Sequence, residues 1–156
     1  MTATLPEIRP EVRSFLSGQP KKLLIGGQWV EAASGKSFET LNPATGEVLA
    51  KVCEGDKEDV DRAVKAARAS LAVWAKVPAS EKARILWKTA DLLEKHADEL
   101  AELETLDNGK TIREARKGDL VMAIELFRYY AGWATKLHGD TIPVSMPYAP
   151  QLHERR

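Results

Sequence analysis

The hydrophobic pattern of the chain changes period once, near Asp56. Upstream of it apolar residues alternate with polar ones or cluster in short runs, and downstream they recur every three or four residues. Leu23-Leu24-Ile25, Gly26-Gly27 and Gln28-Trp29-Val30 predict a β-hairpin, because paired glycines accept the positive φ angles of a two-residue turn. Residues 28–32 alternate as a strand with one wet face should. Ser34-Gly35-Lys36 marks a turn, residues 38–41 a short strand, and Asn42-Pro43-Ala44-Thr45-Gly46 another turn. Residues 47–52 alternate again through Val48, Ala50 and Val52, which predicts a third strand.

From Asp56 the pattern is helical. Asp56 and Asp59 resemble a capping pair at a helix start, and Val60, Ala63, Val64, Ala67 and Leu71 form one stripe. Pro78-Ala79-Ser80-Glu81 separates this helix from the next, with Ser80 as the expected N-cap. Leu86, Ala90, Leu93, Ala97 and Leu100 line a second helix or bent pair that stops at Asn108-Gly109. A third helical region has a possible kink at Gly118. It carries Leu120, Ala123, Ile124, Phe127, Ala131 and Ala134 on one stripe and Met122, Leu126, Tyr129 and Trp133 on another. A helix apolar on two sides is covered from two directions, and the upstream residues offer few candidates for the second cover. Residues 141–144 read as an edge strand, since Pro143 cannot donate to a ladder. The fold class is α/β with an α+β appearance: strands, then three helical regions, then an edge strand. The expected organisation is a leader or mobile arm over 1–22, a main body over 23–138, and a terminal segment over 139–156.

Composition narrows the function classes. With 23 basic and 23 acidic residues the formal net charge is zero, so neither nucleic acid nor an anionic membrane finds an electrostatic footprint. No apolar run approaches the ~20 residues of a membrane helix, and residues 1–20 lack a secretory pattern. The one cysteine, Cys53, forms no internal disulfide, which suggests a cytoplasmic protein. Cys53 has no base near it in sequence and reads as an ordinary strand-end cysteine. His96, His138 and His153 lack metal-ligand spacing. Gly26-Gly27 starts no helix, so it does not cradle a phosphate. Glu94, Asp98, Glu99, Glu102, Glu104 and Asp107 read as a solvated helix face.

Several ordered segments carry a resemblance. They are Ile25-Gly26-Gly27-Gln28-Trp29-Val30, Asn42-Pro43-Ala44-Thr45-Gly46-Glu47-Val48, Glu54-Gly55-Asp56-Lys57-Glu58-Asp59-Val60-Asp61, and Glu104-Thr105-Leu106-Asp107-Asn108-Gly109-Lys110. Arg128-Tyr129-Tyr130-Ala131-Gly132-Trp133-Ala134 and His138-Gly139-Asp140-Thr141-Ile142-Pro143 complete the set. From about Leu24 to Val144 the chain resembles the N-terminal quarter to third of NAD(P)-dependent aldehyde dehydrogenases, within their cofactor-binding domain and the start of the oligomerisation arm. The likeness fades after about Pro147, where the tail suggests a truncated or frameshifted product.

The resemblance implies an oxidoreductase family that converts aldehydes to carboxylates with NAD or NADP. The family's Gly-Gln-x-Cys, Glu-Leu-Gly-Gly-Lys, Pro-Trp-Asn-Phe and Phe-Thr-Gly-Ser segments are absent from this sequence. No catalytic or cofactor-binding residue is therefore assigned, and this chain alone is expected to bind no cofactor and to be inactive. Thr40, Leu41 and Asp107 match positions that hold a structural monovalent cation in some members; the alternative is a hydrogen-bonded turn beside a helix-end carboxylate. Met122 matches a position on the wall of the aldehyde tunnel, with core filler as the alternative. The expected partners are an aldehyde in the complete enzyme and, for this chain, itself or full-length subunits.

Overall fold

In the computed structural model, residues 8–142 and 152–154 are described, the last six strand positions (140–142 and 152–154) by backbone alone. The hairpin forms as the pattern predicts. Strands β1 (Leu23–Ile25) and β2 (Gln28–Val30) pair antiparallel with Ile25 opposite Gln28, and Gly26 and Gly27 both have positive φ, 61° and 80°. The second strand is shorter than its alternation suggests. After Val30 the chain turns, and Ala32 is buried instead of continuing the ladder.

Strands β3 (Ser37–Leu41) and β4 (Val48–Cys53) form a second antiparallel pair. The register steps from Thr40 opposite Ala50 to Leu41 opposite Val48, so Leu49 is an extra residue. This bulge breaks the expected alternation: Ala50 is buried, while Val48 stays exposed. The Asn42-Pro43 turn closes through the Gly46 amide to the Asn42 carbonyl, at 2.7 Å.

Residues 8–22, expected as an arm, contain a helix, α1 (Pro10–Leu16), that packs on a later helix and buries Val12 completely. Lys21 then bridges β4, donating its amide to the Lys51 carbonyl and accepting from the Cys53 amide.

Helix α2 (Lys57–Lys76) starts at a complete capping box, with Asp56 as N-cap and Asp59 closing back on it. Asp59 does more than cap. At 3 % exposure its carboxylate accepts the Ala33 amide at 3.1 Å, the Asp56 amide at 3.3 Å and the Arg62 guanidinium at 3.2 Å. It thereby ties the hairpin to the helix. The apolar stripe of α2 is not core: Val60, Val64 and Leu71 are exposed, and the main element packed against α2 is the short strand β1.

Helices α3 (Ala79–Lys95) and α4 (Ala97–Asn108) are the bent pair, broken at His96. Ser80 does not cap α3. Pro78 occupies the cap position without a side-chain bond, and Ser80 lies inside the first turn. Gly109 ends α4 in the left-handed region at φ 85°, and a Cβ there would sit 2.8 Å from Pro43. That position therefore needs glycine twice over.

Helix α5 (Ile112–Glu114) runs into a π-turn (Ala115–Asp119) containing Gly118, where the Leu120 amide reaches back five residues to Ala115. Helix α6 (Leu120–Trp133) follows and lies along α3 in the most extensive helix–helix contact among the described residues. Its two stripes separate as expected. Leu120, Ile124 and Ala131 are buried, and Met122, Leu126, Tyr129 and Trp133 are exposed. Strand β5 (Asp140–Ile142) pairs antiparallel with β6 (Leu152–Glu154), a partner strand the sequence pattern did not reveal. Pro143 and Val144, the rest of the predicted edge strand, lie outside the described residues.

Lys110 joins α4 to the π-turn. Its ammonium donates to Asp119 at 2.5 Å and sits 3.1 Å from Glu104. The hydrogen bond from Lys110 holds the Asp119 carboxyl below its ordinary 3.8. Bonding to Asp119, then to Glu104, raises Lys110 above its ordinary 10.5.

Two outcomes follow from these contacts. Asp59→Ala strands the Ala33 and Asp56 amides, and urea unfolding should show a loss of about 1.5–3 kcal/mol; an unchanged midpoint would contradict the tie. Lys110→Met should flatten the pH profile of stability at both ends. The wild-type contribution through Asp119 is present above pH 3.8 and lost as pH falls through its lowered pKa. The contribution through Lys110 is present below pH 10.5 and lost as pH rises through its raised pKa. Melting temperatures across pH check this, and parallel profiles for the two proteins would refute it.

Candidate functional site

The predicted cation residues meet in space. The Thr40 hydroxyl donates to Asp107 Oδ1 at 2.7 Å, linking β3 to the last turn of α4 across 67 positions of sequence. The bulge at Leu49 lies opposite Thr40 and Leu41, where ladder pairing is interrupted. The three residues supply one hydroxyl, one carboxylate and their main-chain carbonyls, and the hydroxyl already occupies one carboxylate oxygen. The hydrogen bond accounts for the Thr40–Asp107 contact, and carbonyl and carboxylate oxygens are also the donors a hard cation takes. Among the described residues no group of three or more His, Cys, Asp or Glu side chains could hold a metal.

Met122 points away from α3, at 59 % exposure, on the same face as Leu126 and Tyr129. It is therefore surface in this chain, not core filler. Cys53 is buried at the end of β4. His96 caps the α3–α4 junction and lies 3.0 Å from Glu99, and His138 is exposed. No histidine side chain is described beside the thiol, and the charged side chains that line a pocket with Cys53 are Lys22, Glu31 and Lys36. Gly26-Gly27 turns a hairpin against Ala66 of α2 and opens no helix. This turn therefore presents no helix N-terminus to a phosphate.

The acidic face of α3 and α4 stays largely solvated, with the Glu94 and Asp98 side chains 59 % and 56 % exposed, and its carboxylates are also paired. Glu94 receives the Arg128 guanidinium at 2.6 Å, and Arg128 also reaches Asp91 at 3.3 Å and lies over the Trp87 ring at 5.8 Å. These contacts raise the Arg128 pKa, bonding to Glu94 first. Asp98 takes Arg116 at 2.5 Å and Arg9 at 3.4 Å. The hydrogen bond from Arg116 is the main cause that lowers its carboxyl pKa. Glu102 accepts the Arg9 amide at 3.0 Å. Glu94, Asp98 and Glu102 meet partners distant in sequence, of which local pattern carries no sign, whereas Glu99 pairs locally with His96.

One concave feature escaped sequence reading. A cleft of about 510 Å³ between α1, α4 and the π-turn is lined by Arg9, Asp98, Ala101, Glu102, Thr105 and Arg116. The Thr105 hydroxyl is buried there with no hydrogen-bond partner among the described residues. The two arginines are matched by Asp98 and Glu102, so the cleft offers no net charge for an ionic ligand. It functions as a junction between helices, with no reacting group.

Comparison with known proteins relates this arrangement to one family. The aldehyde dehydrogenase family model matches residues 29–155. That match runs through the tail, past the point near Pro147 where the motif-by-motif likeness fades. Mitochondrial benzaldehyde dehydrogenase of Antirrhinum majus is 49 % identical over 156 residues, covering 98 % of this chain and 29 % of that protein. Human mitochondrial aldehyde dehydrogenase is 51 % identical over 126 residues, covering 79 % of this chain and 24 % of that protein. The NAD+ complex of Bacillus cereus aldehyde dehydrogenase superposes with a TM-score of 0.85 at 50 % identity, over 89 % of this chain and 28 % of that one. The chain thus spans 24–29 % of the length of these relatives. With a match across most of its length, the chain belongs to the aldehyde dehydrogenase family.

Proposed function

We infer that the chain supplies the N-terminal structural part of an NAD(P)-dependent enzyme oxidising aldehydes to carboxylates, and that it carries none of the reacting groups. The observation behind this reading is Cys53. It is the one thiol in the sequence, and it is 7 % exposed at a strand end. Nucleophilic attack on an aldehyde needs an accessible thiolate with a base at hydrogen-bond distance. The Cys53 amide is instead committed to the Lys21 carbonyl, at 2.9 Å, as part of the sheet edge. The family's nucleophile, base and cofactor motifs do not occur in these 156 residues. The role left to them is to hold helices and strands in place for chemistry performed by other polypeptide. The unpaired Cys53 supports a reducing compartment, the cytoplasm.

A second reading, association with full-length subunits, is favoured by the exposed apolar stripe of α6. Both readings agree that the isolated chain has no turnover of its own.

Purified chain mixed with an aldehyde and NAD or NADP should form no reduced cofactor above the protein-free control, and Cys53→Ala should change nothing. Steady turnover that disappears in Cys53→Ala would overturn the scaffold reading.

A further inference from the structure

The sequence contains two asparagines, Asn42 and Asn108, and their surroundings set them apart chemically. Asn42 is followed by Pro43, whose nitrogen carries no proton. Its side-chain oxygen also accepts the Ala44 amide at 2.9 Å, inside the turn that closes β3 onto β4. Asn108 is followed by Gly109 and is exposed at the last position of α4. Its side chain makes no hydrogen bond among the described residues.

A main-chain amide that follows asparagine is a nucleophile for the side-chain carbonyl carbon. Here a bond would form between the Gly109 nitrogen and Asn108 Cγ, while the bond from Cγ to the side-chain nitrogen breaks. The proton of the Gly109 amide leaves with that nitrogen as ammonia. Water then opens the cyclic imide at either carbonyl, giving aspartate or isoaspartate, and no electrons are exchanged. Glycine hinders the attack least, because it has no Cβ beside the nitrogen and its backbone turns freely.

The fold holds the two reacting atoms apart. Asn108 is helical, so its Cα–Cβ bond tilts toward the N-terminus of α4, away from the Gly109 nitrogen. The Gly109 amide donates to the Thr105 carbonyl at 3.0 Å. Gly109 sits at φ 85° and ψ 2°, so close to Pro43 that an added Cβ would lie 2.8 Å from Pro43 Cγ. On the other side of Asn108, the Thr40 hydroxyl holds Asp107 at 2.7 Å. The β3–β4 pair and its turn thus clasp the end of α4 through both residues that flank Asn108.

We propose that Asn108 is a self-modification site, converted through the cyclic imide to aspartate and isoaspartate when this clasp opens, so that the clasp sets the rate. The product also hinders reclosure. Either acid places a negative charge beside Asp107 at the C-terminal end of a helix, where the dipole disfavours it. Isoaspartate in addition inserts a methylene into the main chain, which moves Gly109 off Pro43 and its amide off Thr105. Modified chains therefore accumulate as a record of opening.

The test incubates the full chain at mildly alkaline pH in buffer and in urea. Ammonia release, peptide mapping by mass spectrometry and isoaspartyl methyltransferase labelling follow the reaction at residue 108. Product should form there in urea, and Asn108→Ser should form none. The folded wild-type chain should react at least about tenfold more slowly, since a closed segment opens only part of the time. Thr40→Val keeps a β-branched side chain on the strand and deletes the bond to Asp107. It should react about two- to tenfold faster than wild type when folded, and at the wild-type rate in urea. Circular dichroism confirms that the variants fold, and hydrogen exchange of the Gly109 amide should rise in Thr40→Val by the same factor as the reaction. Absence of product at residue 108 in urea, or equal wild-type rates in buffer and urea, overturns the proposal. So does a folded-state rate or Gly109 exchange that Thr40→Val leaves unchanged.

Discussion

The packing of α6 along α3 is the constraint on which the rest of the structure depends. The residues buried on the two helices are few: Ala90 on α3, with Leu120, Ile124 and Ala131 on α6. The two alanines let the helices approach closely, while Leu120 and Ile124 supply most of the buried apolar area. Arg128 sets the contact by reaching across to Glu94 and Asp91 and stacking on Trp87. Once one stripe of α6 is turned onto α3, the other must face outward. The exposed Met122 face is therefore a consequence of the same packing that orders the helices.

A thin core runs through the whole chain. Of the large side chains described, only Val12 is fully buried, and the remainder of the core is mainly alanine with Cys53, Leu120 and Ile124. Order comes instead from polar ties that cross long stretches of sequence. Asp59 binds the Ala33 amide in the turn after β2, Lys110 spans α4 and the π-turn, Arg9 fastens the start of α1 to α4, and Thr40 meets Asp107. Such ties cost conformational entropy and are individually modest, which is consistent with a segment that gains its stability from a larger assembly.

Much of the fold was legible because local rules decide it. Gly26-Gly27 permits one kind of turn, Asp56 and Asp59 cap α2, and Gly109 stops α4. The misses share one physical cause, namely long-range placement overriding local pattern. Leu49 bulges because of its register with β3, the α2 stripe stays open because little beyond the short β1 packs on that helix, and acids of α3 and α4 find cations from the segment around α1, the π-turn and α6. Ser80 lost the cap to Pro78, whose fixed φ suits the residue before a helix. At the candidate site the resemblance brought Thr40 and Asp107 together correctly. Their hydrogen bond, and the exposure of Met122, depend on tertiary geometry that no spacing in the sequence encodes.

The central claim is that the apolar faces of this chain are open to water when it stands alone. All four tryptophans report on it, since Trp29, Trp74, Trp87 and Trp133 are 68 %, 43 %, 50 % and 43 % exposed. The direct measurement is the intrinsic fluorescence of the folded chain, with acrylamide quenching, before and after denaturation in urea. Open faces give water-like emission and efficient quenching in the folded state, with little change on unfolding. Blue-shifted, poorly quenched emission that moves sharply to the red in urea would show that the chain buries these faces by itself, and would contradict the claim.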